Sequence, residues 1–370
     1  MNLIKKTINI IFITIILFIV ANVILGFAWE IKTSSKLKKI SPYTNQVLEI
    51  LNLSEEEGRT LYLETWINRI YDYDRYTEFM ERETPIQKYV NISALNGRKI
   101  LNKPNCNKSF FFYGSSSTFG YNVTDKQNFP FYFKEILKKK YSNINYCVYN
   151  FGRAGYGSTR ENILFQKHLL ANKIKKDDFI IFLNGNAEGG LNNGLNTKFL
   201  YEAHEIITKK HWDMYKITFK MFFESIPINQ LIKRIDQKNN KKNIEDKSRP
   251  LNEKLRVFQT NVNVRIGICE KFNLNCFTFL QPKSGVHGKQ FDKYETKGIS
   301  STDMSKLTDE IVKTKTKLFN SFTNIQNVID ISNSLDNETD VSYVDKGHYS
   351  PSANKAIANR IYDTIKDKIN

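Results

Sequence analysis

Hydrophobic residues occur in short runs that alternate with amphipathic stretches from about residue 109 onward. Short apolar and aromatic runs are typical of strands that are buried on both faces. Strands are predicted at 109–113, 146–151, 178–184, 276–281 and 326–331. Helices are predicted from Phe129 and at 158–172, 251–271, 303–320 and 351–368. This alternation of strand and helix predicts a parallel sheet covered by helices on both faces.

Two of the predicted helices carry clear start signals. Asn128 is suited to cap the first of them, with Pro130 in its opening turn, and Ser350 with Pro351 marks the start of the last. The last helix also has the spacing of a core-facing stripe. The residues of this stripe are Ala356, Ile357, Ile361 and Ile365.

The N-terminal pattern is different, because residues 8–27 carry no charge. These 20 residues are long enough to cross ~30 Å of hydrocarbon as a helix. A cleaved signal peptide is the alternative. The apolar region of signal peptides usually spans only roughly 7–15 residues, however, and no small-residue cleavage site follows the segment in this chain. We therefore expect an uncleaved signal anchor with a single pass through the lipid bilayer.

The charges around this segment leave its orientation open. Lys5 and Lys6 precede it, and four lysines follow it between residues 32 and 39. Long domains translocate largely regardless of local charge, and a short basic N-terminal tail is typical of an anchor that leaves its C-terminal domain outside. We expect the remainder of the chain to be extracytoplasmic, in the periplasm or at the cell surface.

The pattern predicts three parts: an anchor at 1–29, a stem and lead-in subdomain at 30–107, and the main domain at 108–370. Residues 50–80 are predicted to be helical. A Gly-, Asn- and Lys-rich stretch interrupts the main domain at about 187–250. Its aromatic part, 212–223, could cap a site, rest on the membrane or supply core.

Composition indicates a packed globular protein, with 41% hydrophobic and 13% aromatic residues among 370. The formal charge of +17 reflects 55 Lys and Arg against 38 Asp and Glu. The lysines are scattered and form no stripe with interleaved aromatic residues. We therefore expect no nucleic-acid partner.

The four cysteines allow two bridges without requiring them. Cys106 and Cys147 lie at the starts of two predicted strands, so that a bridge is possible if these strands are neighbours. Cys269 and Cys276 could form the second. Other pairings, or free thiols, remain open. No Cys-x-x-Cys and no paired histidines are present, and no metal site is expected.

Candidate chemistry begins where the apolar run Phe110–Tyr113 ends in the small residues of Gly114–Gly120. A turn of this kind can hold a hydroxyl at the carboxyl edge of a sheet. Asp345 precedes His348 by three residues, a spacing that lets the carboxylate orient the imidazole as a general base.

Two further segments, Asn150–Gly155 and Asn184–Asn186, follow predicted strands and offer amide donors for an oxyanion. Each candidate residue alone has an ordinary structural interpretation, such as a loop serine or a turn-forming asparagine. The other histidines have no acidic residue at the offset of Asp345, and surface or structural roles are expected. They are His168, His204, His211 and His287.

Together these segments resemble the four sequence blocks of the SGNH (GDSL-type) hydrolases. Gly114-Ser115-Ser116-Ser117-Thr118-Phe119-Gly120 is similar to Gly-Asp-Ser-x-x-x-Gly, with Ser116 at the nucleophile. Gly155, Asn186 and the Asp345–His348 pair match the remaining blocks in order, over residues 108–368. The resemblance implies a three-layer α/β/α flavodoxin-like fold with a central parallel sheet.

This sequence departs from the family pattern at three positions. Ser115 stands where the family has aspartate, Asn184 replaces a glycine, and Ala187 replaces a second aspartate. The catalytic residue types are retained. We expect the departures to affect the reaction rate and the rigidity of the loops more than the mechanism.

The resemblance implies acyl transfer through a serine ester without metal or cofactor. Ser116 would attack, His348 would take its proton, and Asp345 would orient the imidazole. The backbone amides of Ser116 and Gly155 and the side chain of Asn186 would form the oxyanion hole.

The expected activity is an esterase that removes an acyl group, with acetyl as the expected group, from a cell-envelope glycan or lipid. Two alternatives remain open: an O-acyltransferase acting on exported polysaccharide, and a non-catalytic glycan-binding scaffold.

Overall fold

The computed structural model describes residues 2–39, 43–93, 97–185, 187–188, 222–223, 226–229, 231–232, 251–288, 309–345 and 347–369. The chain divides into two compact units. One unit comprises residues 1–40 and 194–247, and the other comprises residues 41–193 and 248–370.

The larger unit contains all of the described strands. They are β1 (Tyr71–Asp74), β2 (Glu78–Glu81), β3 (Ile92–Ser93), β4 (Gly97–Arg98), β5 (Lys108–Gly114), β6 (Tyr146–Gly152), β7 (Phe179–Asn184), β8 (Asn275–Leu280) and β9 (Ile329–Asp330). Strands β1 and β2 form an antiparallel hairpin, and the others form one sheet in the order β3-β4-β6-β5-β7-β8-β9.

Strands β4 to β9 pair in parallel, and β3 adds an antiparallel edge that the sequence pattern did not predict. Counted from β5, the parallel strands follow the order 2-1-3-4-5 of flavodoxin-like sheets. The four longer strands lie within one residue of their predicted bounds. The last is shorter than predicted, since only two residues of 326–331 form β9.

The described helices are α1 (Asn2–Lys39), α2 (Asn45–Leu51), α3 (Glu55–Tyr62), α4 (Ser116–Phe119), α5 (Phe129–Lys140), α6 (Ser158–Leu170), α7 (Leu251–Phe272), α8 (Asp309–Thr323) and α9 (Pro351–Ile369). The predicted start signals are confirmed. Asn128 Oδ1 accepts from the amide of Phe131 at 3.1 Å, and Ser350 Oγ accepts from that of Ala353 at 3.2 Å.

Helices cover both faces of the sheet, which confirms the three-layer α/β/α architecture. Phe110 and Phe112 of β5 pack into a core with α5 and α9, whereas Phe111 and Tyr113 pack on the opposite face with α6. Because side chains alternate between faces along a strand, both sets must be apolar. The continuous aromatic run of β5 follows from this double burial.

The prediction of helix throughout 50–80 is wrong in its second half. After α2, α3 and a π-helical turn at Leu63–Ile67, the chain forms the hairpin β1–β2. Asp74 Oδ1 accepts from the amides of Tyr76 and Thr77 at 3.0 and 2.9 Å. An aspartate that binds the backbone two and three residues later favours a turn over a helix.

The lead-in segment, residues 43–93, packs against the chain that follows β5 and against the loop before α9. These parts share one cluster of buried side chains, which includes Phe119 of α4, so the lead-in segment packs directly against α4. Its members include Leu48, Leu51, Leu61, Tyr89, Val90, Phe119, Tyr121, Val123 and Val344.

Two disulfides are formed, and both are pairings that the sequence allowed. Cys106 and Cys147 have Cα atoms 5.6 Å apart and connect the chain just before β5 to the neighbouring strand β6. Cys269 and Cys276 have Cα atoms 6.1 Å apart and connect α7 to β8. Both separations are normal for disulfides.

In the smaller unit, Ile4–Ala28 of α1 has a mean hydropathy of 3.0 and is long and apolar enough to span a membrane. A signal sequence near an N-terminus has the same properties. Asn22 Oδ1 on this helix accepts from the amide of Ile228 at 3.2 Å. Most of the aromatic stretch lies outside the described residues, and Phe222 is 62% exposed. The predicted division into anchor, lead-in and main domain stays a prediction.

Candidate active site

Ser116 is the first residue of α4, immediately beyond the carboxyl end of β5. The chain reverses sharply here. A Cβ atom on Gly114 would overlap Thr118 Oγ1 and lie 2.9 Å from the carbonyl oxygen of Leu183. Only glycine permits so close an approach of backbone to side chain, and the turn directs Ser116 to the edge of the sheet.

The structure brings the three predicted catalytic residues into one hydrogen-bonded chain. Ser116 Oγ lies 2.9 Å from His348 Nε2. His348 Nδ1 lies 2.8 and 2.7 Å from the two carboxylate oxygens of Asp345. Because Asp345 accepts at Nδ1, the hydrogen-bond network assigns the proton to Nδ1 and leaves Nε2 to accept from the serine.

The loop before α9 holds the Asp345 carboxylate from several directions. Oδ1 accepts from the backbone amides of Gly347 and His348 at 2.7 and 2.9 Å, and Oδ2 accepts from Asn122 Nδ2. Asp345 is 3% exposed. A buried carboxylate with this many donors keeps one orientation, which fixes the ring of His348.

Asn122 is a residue that sequence reasoning missed. It is fully buried and has a left-handed backbone with φ of 61°. Its Oδ1 accepts from Tyr43 Oη at 2.8 Å and from Trp66 Nε1 at 2.5 Å, so its amide joins the lead-in segment to Asp345. The sequence offers only a weak signal, an asparagine two residues after Gly120, which is ordinary turn chemistry.

An aromatic enclosure around the imidazole was also missed. The ring of Tyr121 stacks on His348 with centroids 5.2 Å apart and planes at 19°. Trp66 presents its edge at 5.9 Å and 74°. Tyr71 Oη lies 3.1 Å from Tyr121 Oη and supports that ring from the hairpin. The enclosure restricts the rotation of His348 and leaves Ser116 half-buried.

Two of the three expected oxyanion donors are described. Ser116 opens α4, so its amide has no acceptor within that helix. Gly155 is exposed, has φ of 71°, and has no atom within 4 Å of where a Cβ would stand. The amide of Arg153 donates to Gly114 O at 2.9 Å, which places the Gly155 loop beside the nucleophile turn. Asn186 lies outside the described residues.

The positions that depart from the family pattern differ in their surroundings. Ser115 Oγ is buried and has no hydrogen-bond partner among the described residues. Asn184, in contrast, is fully engaged, since Nδ2 donates to Glu161 at 2.7 Å and Oδ1 accepts from Arg265 at 2.6 Å. A glycine at this position could make neither bond.

The other described histidines have structural surroundings. His168 is buried in α6 and its Nδ1 lies 2.8 Å from Tyr113 Oη. Burial holds the pKa of His168 well below its usual value. Burial also lowers the pKa of His287, whose ring packs on Phe319. His204 and His211 lie outside the described residues.

No protein-family model and no curated protein matches the chain. Among solved structures, the acetylxylan esterase Axe2 of Geobacillus stearothermophilus is 12% identical with a TM-score of 0.39, over 70% of this chain and 95% of that chain. LAE5, an alpha/beta hydrolase from the metagenome of Lake Arreo, is 9% identical with a TM-score of 0.39, over 70% and 94%.

A third structure, from Desulfitobacterium hafniense DCB-2, is described as a lipolytic protein of the G-D-S-L family. It is 14% identical with a TM-score of 0.36, over 70% of this chain and 99% of that chain. These likenesses are too distant to assign an activity to the chain.

Proposed function

We propose that this protein is a serine ester hydrolase with Ser116 as nucleophile, His348 as general base and Asp345 as the residue that orients it. The observation that carries the proposal is the unbroken chain of hydrogen bonds from Ser116 Oγ through His348 to the buried Asp345. A glycan-binding scaffold has no need of a serine hydroxyl bonded to an imidazole whose tautomer is fixed.

In the acylation step, Ser116 Oγ attacks the ester carbonyl while His348 Nε2 accepts its proton. The Asp345 carboxylate stabilises the imidazolium that results. The backbone amides of Ser116 and Gly155, with the side-chain amide of Asn186, stabilise the oxyanion of the tetrahedral intermediate. His348 then returns the proton to the departing alcohol, which leaves an acyl ester on Ser116.

In the deacylation step, His348 takes a proton from water, and the hydroxide attacks the acyl ester. Collapse of the second intermediate releases the carboxylic acid and restores the Ser116 hydroxyl. If a sugar hydroxyl replaces water as the acceptor, the same site transfers the acyl group instead of hydrolysing the ester.

The substrate proposed is an acyl ester, with acetyl as the group, on a cell-envelope glycan or lipid. The apolar helix Ile4–Ala28 supports a single-pass anchor. Two disulfides support an oxidising compartment outside the cytoplasm. An anchored enzyme in that compartment meets envelope polymers and lipids at the membrane surface.

The test is hydrolysis of p-nitrophenyl acetate and butyrate by the full-length protein in detergent micelles, together with fluorophosphonate labelling. We expect turnover and labelling in the wild type, and loss of both in Ser116→Ala. His348→Ala should lose turnover by a factor of about 10³ or more. Ser321→Ala, at a half-buried position of α8 where the hydroxyl donates to Lys317 O, is the control and should behave as the wild type.

A folded wild-type protein without turnover or labelling would overturn the esterase proposal and favour the scaffold. Acetyl transfer to an added oligosaccharide, at the expense of hydrolysis, would identify the acyltransferase instead.

A further inference from the structure

Two buried carboxylates that the proposed mechanism does not use lie next to the loops of the oxyanion hole. Glu161 is in the first turn of α6 and Glu188 follows the loop after β7. Each is 1% exposed. Buried carboxylates are costly unless they are paired and hydrogen-bonded, so their contacts show what they hold together.

Glu188 joins its own loop to the start of α6. Its Oε1 accepts from the amide of Ser158 at 2.7 Å, and its Oε2 accepts from Ser158 Oγ at 2.9 Å. Ser158 is the first residue of α6 and stands three residues after Gly155. Two bonds from one carboxylate to both donors of one residue define position and direction.

The other side of the same loop is held by Asn184, the last residue of β7. Its side chain bonds Glu161 and Arg265 at 2.7 and 2.6 Å, and Arg265 Nη2 lies 2.9 Å from Glu161 Oε2. Gly185 and Ala187 are therefore enclosed between two residues whose side chains are bonded into α6 and α7.

Asn186, the third expected oxyanion donor, stands between these two fixed points in the sequence. Gly155, the second donor, stands just before the helix start that Glu188 holds. Arg265 Nη2 also donates to Ser158 O at 3.2 Å, so that one buried network connects the loops of two donors that come from separate strands.

We propose that Glu188 is a positioning residue for ester hydrolysis, which sets the loop of Asn186 relative to the loop of Gly155. The inference rests on the proposed function, since the donors are those of the oxyanion hole. Glu188 touches neither substrate nor nucleophile in this role, and its effect is confined to the geometry of transition-state stabilisation.

The test compares Glu188→Asp, Glu188→Gln and Glu188→Ala in full-length protein, with kcat and KM measured on p-nitrophenyl acetate. Aspartate keeps the charge but is one methylene too short to span the loop and Ser158. We expect Glu188→Asp to lower kcat by about 10-fold or more and Glu188→Ala by about 100-fold, because misplacing an oxyanion donor costs on this scale. KM should change less than about threefold, since the ester in its ground state makes little use of the oxyanion donors for binding.

Glutamine retains an oxygen to accept from the Ser158 amide and an NH₂ group to donate to Ser158 Oγ. We therefore expect Glu188→Gln to recover kcat to within about fivefold of the wild type. A role in stability alone would lower the melting temperature without this division between kcat and KM.

Asp178→Ala is the matched control. Asp178 is also buried, at the opposite end of β7, and also accepts from two backbone amides, those of Ser109 and Lys175 at 2.9 and 2.7 Å. Asp178→Ala should lose stability but keep the wild-type kcat per active site, with active sites counted by fluorophosphonate titration of a separate sample.

Unchanged kcat in folded Glu188→Asp would overturn the positioning role and leave the esterase proposal intact. Absence of labelling in the wild type would instead mean that the proposed function had failed. If Glu188→Ala does not fold, the comparison of aspartate with glutamine decides the matter.

Discussion

The side-chain amide of Asn122 donates a hydrogen bond to Oδ2 of Asp345, the carboxylate that orients the imidazole of His348. Asn122 in turn accepts from Tyr43 and Trp66 of the lead-in segment. The candidate active site therefore extends beyond the segments that resemble the family blocks. The lead-in segment therefore contributes to the orientation of His348, the proposed general base.

Asn122→Gly should lower kcat by about 10- to 100-fold with little change in KM, because Asp345 loses a donor and the imidazole loses its fixed orientation. Glycine is the informative replacement, since it adopts the φ of 61° without strain. Steady-state kinetics on p-nitrophenyl acetate provides the measurement.

Tyr43→Phe, which removes one of the two donors to Asn122, should have a smaller effect and is the control. The free energy of unfolding should be about 1 kcal/mol lower for Asn122→Ala than for Asn122→Gly, because alanine is strained at this φ. Wild-type kcat in a folded Asn122→Gly protein would show that Asp345 does not depend on this amide.

Ser115→Ala should leave stability unchanged or raise it by about 1 kcal/mol, since it removes a buried hydroxyl without a described partner. Ser117→Ala is the comparison, because Ser117 Oγ donates to Gly347 O at 3.2 Å across to the His348 loop. We expect that variant to lose about 1 kcal/mol. Chemical denaturation would distinguish them, and equal losses in both would contradict the prediction.

Stability should fall as pH rises from about 4.5 to about 7. Burial, opposed by Arg265 and reinforced by Glu188, raises the pKa of Glu161 from 4.5 to about 7. A group whose pKa is raised on folding contributes stability below its unfolded pKa and loses that contribution through its folded pKa. The difference between these two pKa values of Glu161 corresponds to at most about 3 kcal/mol in the free energy of unfolding.

Glu161→Gln should flatten this dependence, which urea unfolding at pH 5 and pH 8 would measure. Glu56→Gln, at an exposed position of α3, is the control and should keep the wild-type slope. A Glu161→Gln protein with the wild-type slope would assign the pH dependence to other groups.

The two disulfides should contribute unequally to stability. The Cys106–Cys147 bridge spans 41 residues and the Cys269–Cys276 bridge spans 7. In the chain-entropy model, the longer loop adds roughly 1.5 kcal/mol more. Cys106→Ser/Cys147→Ser should therefore lower the denaturation midpoint more than Cys269→Ser/Cys276→Ser. Thiol counting before and after reduction checks that both bridges form, and a reversed order would contradict the model.

The strands and helices of the sheet were predictable because their signals are local. Double burial makes β5 a continuous aromatic run, and Asn128 and Ser350 cap helices through bonds to residues three positions later. The hairpin β1–β2 contradicts the helix predicted over 50–80, and its local signal is the turn-forming side chain of Asp74.

The candidate site divides in the same way. The sequence alone determined the turn of small residues after a buried strand and the spacing of Asp345 and His348, since both depend on neighbouring residues. Tertiary folding was needed to bring Ser116 to His348, Asn122 to Asp345 and Glu188 to Ser158, across separations of 232, 223 and 30 residues. Contacts of this kind leave no periodic trace in the sequence, because their geometry depends on how whole elements pack.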